Sequence, residues 1–269
     1  MKGFVQLEAD QEKMNENKKF APSNIFEGMT SISAVINHYE TNGRKIEKIW
    51  FDRTKTKSKA SEFYFLKAKS QELGFSLETV DSAQLDEITL GNTHGGIVAF
   101  CTERSLPVLE PTLINPNGFY VFLEGIEDPY NFGNTIRSLY AAGVDGVVLP
   151  PRNWMNAAGV VARASAGTSE SIPMFVCESD TVASLFHDKG YQILCAGIRD
   201  SVSIFEESFE YPILLVIGGE KRGISRNILN SADQIVRIDY GREFRGSLSA
   251  SASAAVLAFA IYAQHKKQS

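Results

Sequence analysis

The chain has 269 residues, of which 43% are hydrophobic and 22% charged, and it carries a net charge of −5 at neutral pH. This is ordinary globular composition, apolar enough to bury a core, and it excludes a disordered, collagenous or disulfide-stapled chain. The acidic balance argues against indiscriminate nucleic-acid binding by the whole molecule, although a local basic patch can still take phosphates.

Residues 1–23 are polar and mixed in charge, without the apolar run of a signal peptide, and read as a flexible N-terminus. From Asn24 the pattern alternates. Helical spacing runs from Ile25 to Tyr39, and Lys45–Phe51 alternates like a strand. Lys57–Leu73 reads as a helix stopped by Gly74. A short strand (FSLETV), a short helix over Ser82–Glu87 and a strand over Gly95–Phe100 complete a small α/β unit, placed at 24–103. A proline-bearing connection, 104–117, marks the boundary.

A second alternation fills 118–269. Its strands are GFYVFLEG, VDGVVLP, IPMFVC, YQILCAG, YPILLVIGG and QIVRID. Helices are expected over Asn131–Ala142, Asn156–Ala164, Ser179–Lys189, Ser225–Asn230 and Leu248–Gln264. Near-continuous apolar strands separated by helices predict a parallel sheet covered on both faces. The three cysteines, Cys101, Cys177 and Cys195, form no C-x-x-C and read as buried thiols in a reducing compartment. The apolar stretch Ala254–Ala263 is too short to span a bilayer, so a cytoplasmic protein without a membrane partner is expected.

In such sheets ligands bind beyond the carboxyl ends of the strands. Three junctions stand out: 123–143, 214–225 and 238–262. In the second, Gly218-x-x-x-x-Gly223-Ile224-Ser225 lacks the lysine of a phosphate-binding P-loop, which argues against an NTPase. Its glycines would leave backbone N–H groups free to face a ligand, or would simply form a tight turn. No G-x-G-x-x-G, no H-E-x-x-H and no nucleophile elbow is present. The window Arg44–Lys69 holds nine basic and three acidic residues, a charge of +6, and reads as an RNA-contacting surface or a solvated helix face.

Taken together, the three junctions resemble the SpoU (TrmH-like) branch of the SPOUT RNA methyltransferases. The motifs are Glu-Asp-Pro-Tyr-Asn-Phe-Gly-Asn-Thr-Ile-Arg from Glu127, Gly218-Gly219-Glu220-Lys221-Arg222-Gly223, and Ser247-Leu248-Ser249-Ala250-Ser251. The resemblance covers about Phe119–Gln264. The segments NIFEGMTSISAVIN and THGGIVAF are similar to the small substrate-binding domain, related to a ribosomal-protein fold, that precedes many such enzymes.

The resemblance implies a deep trefoil knot, a homodimer, and transfer of a methyl group from S-adenosylmethionine to a ribose 2′-hydroxyl of rRNA or tRNA, rRNA favoured, without a metal. It assigns the chemistry to Arg137, Asn131, Glu220, Ser247 and Ser249, and the cofactor to Gly218, Gly219, Glu220, Gly223, Ile238 and Leu248. Arg44, Lys45, Arg53, Lys55, Lys57 and Lys59 would contact RNA. Arg137 is the family's proposed general base, but a guanidinium keeps its proton in proteins, so a bidentate grip on a phosphate is the second role. Asn131 would orient Arg137 or the substrate. Ser249 stands where the family commonly has Asn. Activity with altered contacts is the favoured reading; a catalytically silent RNA-binding protein of the same fold and a subgroup with a different substrate nucleotide are the others. A base-methylating relative is a further alternative.

Overall fold

The computed structural model describes residues 24–41, 43–89, 94–151 and 157–268. The 1–23 segment and Asn156 lie outside them. The chain divides into two compact units.

The first unit comprises the described residues up to Arg104, together with a later segment ending at Glu170. Its sheet holds β1 (Ile25–Glu27), β2 (Ile46–Asp52), β3 (Ser76–Val80) and β4 (Ile97–Cys101), in the order β1-β4-β2-β3. The helix expected from Ile25 begins three residues later. Ile25–Glu27 pairs antiparallel with Val98–Phe100, and helix α1 occupies Gly28–Asn37. The strand wins because Ile25 and Phe26 are both buried there, and Gly28, at φ +77°, turns the chain into the helix. Helix α2 (Ala60–Leu73) ends at Gly74 in the left-handed conformation, φ 80°, as the sequence signals. Asp81 and Gln84 form a capping box that opens α3 (Ser82–Ile88).

Helix α5 (Ala158–Ala164) was expected to serve the second sheet; instead it packs on β1 and α1. Gly159 permits this, since a Cβ there would lie 1.7 Å from the carbonyl oxygen of Ile25. Arg163 Nη1 binds Glu27 Oε2 at 2.8 Å across the same contact. Further along, Glu170 is buried and receives Arg44 Nε at 3.1 Å. Arg44 also donates to the carbonyl of Thr102 at 2.8 Å and lies over the Phe26 ring.

The second unit comprises described residues 105–151 and 171–268. Its seven strands are β5 (Phe119–Glu124), β6 (Gly146–Leu149), β7 (Met174–Val176), β8 (Gln192–Ala196), β9 (Val202–Ser203), β10 (Ile213–Gly218) and β11 (Gln234–Arg237). All neighbours run parallel, in the order β7-β6-β5-β10-β8-β11-β9. The two-residue β9 carried no periodic signal in the sequence. Helices α4 (Pro129–Ala141), α6 (Ser179–His187), α7 (Arg226–Asn230) and α8 (Ala250–Gln268) complete the unit. The order fits the knot implied by the resemblance. β5 and β10 are buried along their whole length except for their last residues, Glu124 and Gly218, as two-sided coverage requires.

The three cysteines are free and buried, and burial raises the thiols of Cys101 and Cys195 to about 12, so neither is a nucleophile at neutral pH. No helix among the described residues is long and apolar enough to cross a membrane.

The Arg44–Glu170 pair is inside the first unit, with Arg104 Nη1 3.9 Å from the same carboxylate, so loss of the acid takes a buried anion from between two cations. Glu170→Ala should therefore lower unfolding free energy by about 3–5 kcal/mol, read as a shifted urea midpoint with an unchanged slope.

Candidate functional site

Because the seven strands are parallel, their carboxyl ends share one edge, and the loops after β5, β8, β10 and β11 gather there. The tightest contact lies between the first and third of these. Gly219 packs on Gly125 so closely that a Cβ would sit 2.0 Å from the Gly125 carbonyl oxygen. The Gly219 N–H donates to the Glu124 carbonyl at 2.6 Å, and the Gly223 N–H closes the turn onto the Gly219 carbonyl at 2.9 Å. A Cβ on Gly218 would collide with the backbone of Gly223 at 2.3 Å. These amides hold the turn itself together, as in the tight-turn alternative. The glycines serve close backbone approach, and Gly223 in addition has φ +64°.

Glu124, absent from the sequence-based candidates, fixes the far end of the same loop. Its Oε2 accepts the Ser225 N–H at 2.7 Å. The sequence signal was available, since Glu124 is the polar end of an otherwise apolar strand. Lys221 adds an exposed ion pair to Glu127 at 3.3 Å.

The turn forms one wall of a cavity of about 540 Å³, within the ordinary range for a small-molecule site. Gly218, Gly219, Glu220, Gly223, Ile238 and Leu248 all line it, and so does Ser247. Ile198, Ile217 and Leu257 add apolar wall, suited to an adenosyl group. The residues present therefore fit S-adenosylmethionine.

A smaller cavity, about 130 Å³, adjoins the first motif. Asn131 lines it with Gly125, Glu127 and Asp128. Glu220 and Ala250 border both cavities. Asp128 caps α4 by accepting the Asn131 N–H at 2.8 Å, with Pro129 at the first helical position. The motif thus starts a helix and presents Asn131 from its first turn.

Two expected residues stand elsewhere. Arg137 is exposed and lines neither cavity. Six helical positions separate it from Asn131, which turns it about 120° away around the axis. Ser249 lines neither cavity and caps α8, its Oγ accepting the Ala252 N–H at 3.2 Å. Serine and asparagine are both strong N-cap residues, so the departure from the family pattern preserves the helix start.

In the first unit the basic window is divided. Arg44 is 1% exposed and committed to Glu170, which removes it from the RNA-contact set. Lys45 and Lys57 are exposed. Arg53 is exposed and paired with Asp81 at 3.2 Å, a solvated pair that leaves the guanidinium accessible. Lys55 and Lys59 converge on the Gly95–Gly96 turn, where Cβ atoms would meet their ammonium nitrogens at 3.3 and 3.2 Å respectively, at Gly96 and Gly95. Buried Asp52 anchors this corner by accepting from Thr54 and Ser82. Burial alone would raise its pKa. The hydrogen bonds, with Lys55 nearby, outweigh that and hold it below the usual carboxylate value.

Residues 118–259 match the SpoU rRNA methylase family, and residues 25–107 match the RNA 2′-O ribose methyltransferase substrate-binding domain. Among relatives, a putative TrmH family tRNA/rRNA methyltransferase of Staphylococcus haemolyticus is 27% identical over 227 residues, 82% of this chain and 89% of the relative. The 23S rRNA (guanosine-2′-O-)-methyltransferase RlmB of Shewanella oneidensis is 24% identical, covering 90% of this chain and 98% of the relative. The fold is shared with the SpoU methyltransferase AviRb from Streptomyces viridochromogenes in complex with AdoMet. There the TM-score is 0.72 at 20% identity, covering 89% of each chain. It is also shared with an AdoMet-bound rRNA methyltransferase from Sinorhizobium meliloti, at TM-score 0.71 and 20% identity, covering 93% and 89%.

Two outcomes follow from the geometry. Gly219→Ala forces the 125 and 219 backbones apart and should weaken S-adenosylmethionine binding more than tenfold by calorimetry, a larger loss than Ser249→Asn, which keeps the cap. Replacing Lys55, Lys57 and Lys59 together by alanine should weaken RNA binding and flatten its log–log salt dependence by about 2, at about 0.7 per lost single-strand phosphate contact.

Proposed function

Because the chain belongs to the SpoU rRNA methylase family, we propose that it is an S-adenosylmethionine-dependent RNA methyltransferase acting on a ribose 2′-hydroxyl, with rRNA the favoured substrate over tRNA. The observation that carries this reading is the gathering of seven motif residues around one cavity, with Glu220 joining it to the pocket of Asn131.

The mechanism is one of alignment. Bound S-adenosylmethionine supplies a methyl group made electrophilic by its sulfonium. The Gly218–Gly219 turn, Ile238 and Leu248 hold the adenosyl portion and exclude water from its faces. Asn131 and Glu220, which both line the smaller cavity, orient the ribose, and Glu220 accepts the hydroxyl proton. Ser247 hydrogen-bonds the ribose or carries the proton onward. Arg137, exposed on α4, grips the neighbouring phosphate with its fork. Lys45, Arg53, Lys55, Lys57 and Lys59 hold RNA on the first unit.

A homodimer completes this reading. Helices α4 and α8 pack together and leave Tyr130, Tyr140, Phe259 and Tyr262 exposed, an aromatic surface suited to a second copy. Buried free thiols and the RNA substrate support a cytoplasmic location.

The reading is tested by titrating the protein with S-adenosylmethionine, expected to bind in the micromolar range, and by digesting methylated rRNA with alkali. A 2′-O-methyl blocks cleavage at its linkage; a base methyl leaves it open and would move the activity to the base-methylating alternative. Absence of binding with and without RNA would favour the silent RNA-binding protein. Arg137→Ala should abolish methyl transfer while leaving the S-adenosylmethionine Kd within about twofold, because the side chain lines no part of the cofactor cavity.

A further inference from the structure

The loop between β11 and α8 carries two exposed aromatic rings. Tyr240 and Phe244 line the large cavity, yet they remain 37% and 56% exposed. A ring that both lines a cavity and faces solvent stands at its mouth. Leaving two such rings in water forfeits apolar burial, and neither is loosely placed. The Tyr240 hydroxyl accepts the Leu248 N–H at 3.3 Å. Phe244 lies over Gly246, where a Cβ would meet its Cζ at 2.5 Å, so the glycine makes the seat for the ring. The two ring centroids are 5.7 Å apart, with planes inclined at 59°.

The charges of the loop are distributed around these rings. Asp239, at its start, is bound by Arg237 Nε at 2.7 Å. Hydrogen bonds from Ser203 and Arg237 hold its carboxyl below the usual value, so it stays an anion satisfied by its own neighbours. Arg242, Glu243 and Arg245 are exposed, and Arg245 also lines the cavity. An aromatic pair flanked by exposed arginines, at the mouth of a cavity, has the composition of a nucleobase-stacking site. Single-stranded RNA is read by such rings and planar guanidinium groups, with arginine supplying the phosphate contact.

We propose that Tyr240 and Phe244, with Arg245, form a stacking site for an unpaired base of the RNA substrate at the entrance to the cofactor cavity. This deepens the function proposed above and rests on it for the identity of the substrate. The base held there belongs to the nucleotide being presented or to its immediate neighbour, and its stacking brings the ribose to the cavity's open side. Ring area gives the affinity, and Arg245 fixes the adjoining phosphate.

The test uses the full-length protein, a fluorescein-labelled single-stranded RNA 12-mer in anisotropy titrations at several salt concentrations, and calorimetry with S-adenosylmethionine. Phe244→Ala should weaken RNA binding about tenfold without changing its salt slope, because stacking releases no counterions. Phe244→Trp should retain affinity, and Phe244→Leu, apolar but unable to stack, should not. Arg245→Ala should flatten the slope by about 0.7. All should leave the cofactor Kd within about twofold. Loss of cofactor affinity with RNA binding intact would give the rings to the adenosyl group and overturn the proposal. Unchanged RNA binding in Phe244→Ala, or equal rescue by leucine and tryptophan, would overturn it too. A protein that takes no cofactor, yet loses RNA on Phe244→Ala, would refute the methyltransferase reading while supporting the stacking site.

Discussion

The site depends on two backbones coming closer than any pair of side-chain-bearing residues allows. β5 and β10 run in register to their last residues, Glu124 and Gly218, and the chains beyond them stay in contact through Gly125 and Gly219. That contact fixes where each loop goes next. From Gly125 the chain passes to the Asp128 cap and Asn131; from Gly219 it passes to Glu220 and back to Gly223. Glu124 then ties the end of the second loop by its side chain, as the sheet has tied its beginning through the main chain. Main-chain hydrogen bonds and close backbone packing define this turn, and the Glu124 side chain adds to them. Preorganisation of this kind is what an alignment mechanism requires.

Much of this was legible in the sequence, for identifiable reasons. Apolar runs such as FYVFL and ILLVI suit two-sided strands, and their polar or glycine ends mark the edge where ligands bind. Gly74 behaved as a helix stop because its position demands a left-handed conformation. The residues at 218, 219, 220, 223, 238, 247 and 248 come to one cavity because each lies at or beyond the carboxyl end of β10 or β11 in one parallel sheet. Periodicity failed where tertiary pairing overrides local preference. Ile25–Glu27 reads as helix until β4 offers it a partner, and Val202–Ser203 is too short to have a pattern.

Charge was the least informative signal. Arg44 and Lys45 are adjacent in one basic window, yet the first is sealed against Glu170 and the second is in water. Nothing local separates them, because the deciding acid lies 126 positions away. Ser249 illustrates the converse. As the N-cap of α8 it keeps a capping bond that asparagine could also make. Glu124 lies outside the three motifs: it closes β5, while the loop it pins follows β10.

The placement of α5 has a consequence for biogenesis. Its residues complete the first unit by resting Gly159 on the backbone of Ile25 and by bringing Glu170 to Arg44. On the ribosome, however, residue 104 emerges about fifty residues before that helix does. During that interval β5 and β6 are already being made, while the first unit still shows a bare apolar face and lacks the Glu170 that binds Arg44. The order of synthesis therefore cannot be the order of folding by units, as it is for domains strung in simple succession. The earlier unit must wait for a piece carried within the later one, and a nascent chain interrupted between 104 and 157 has neither unit whole.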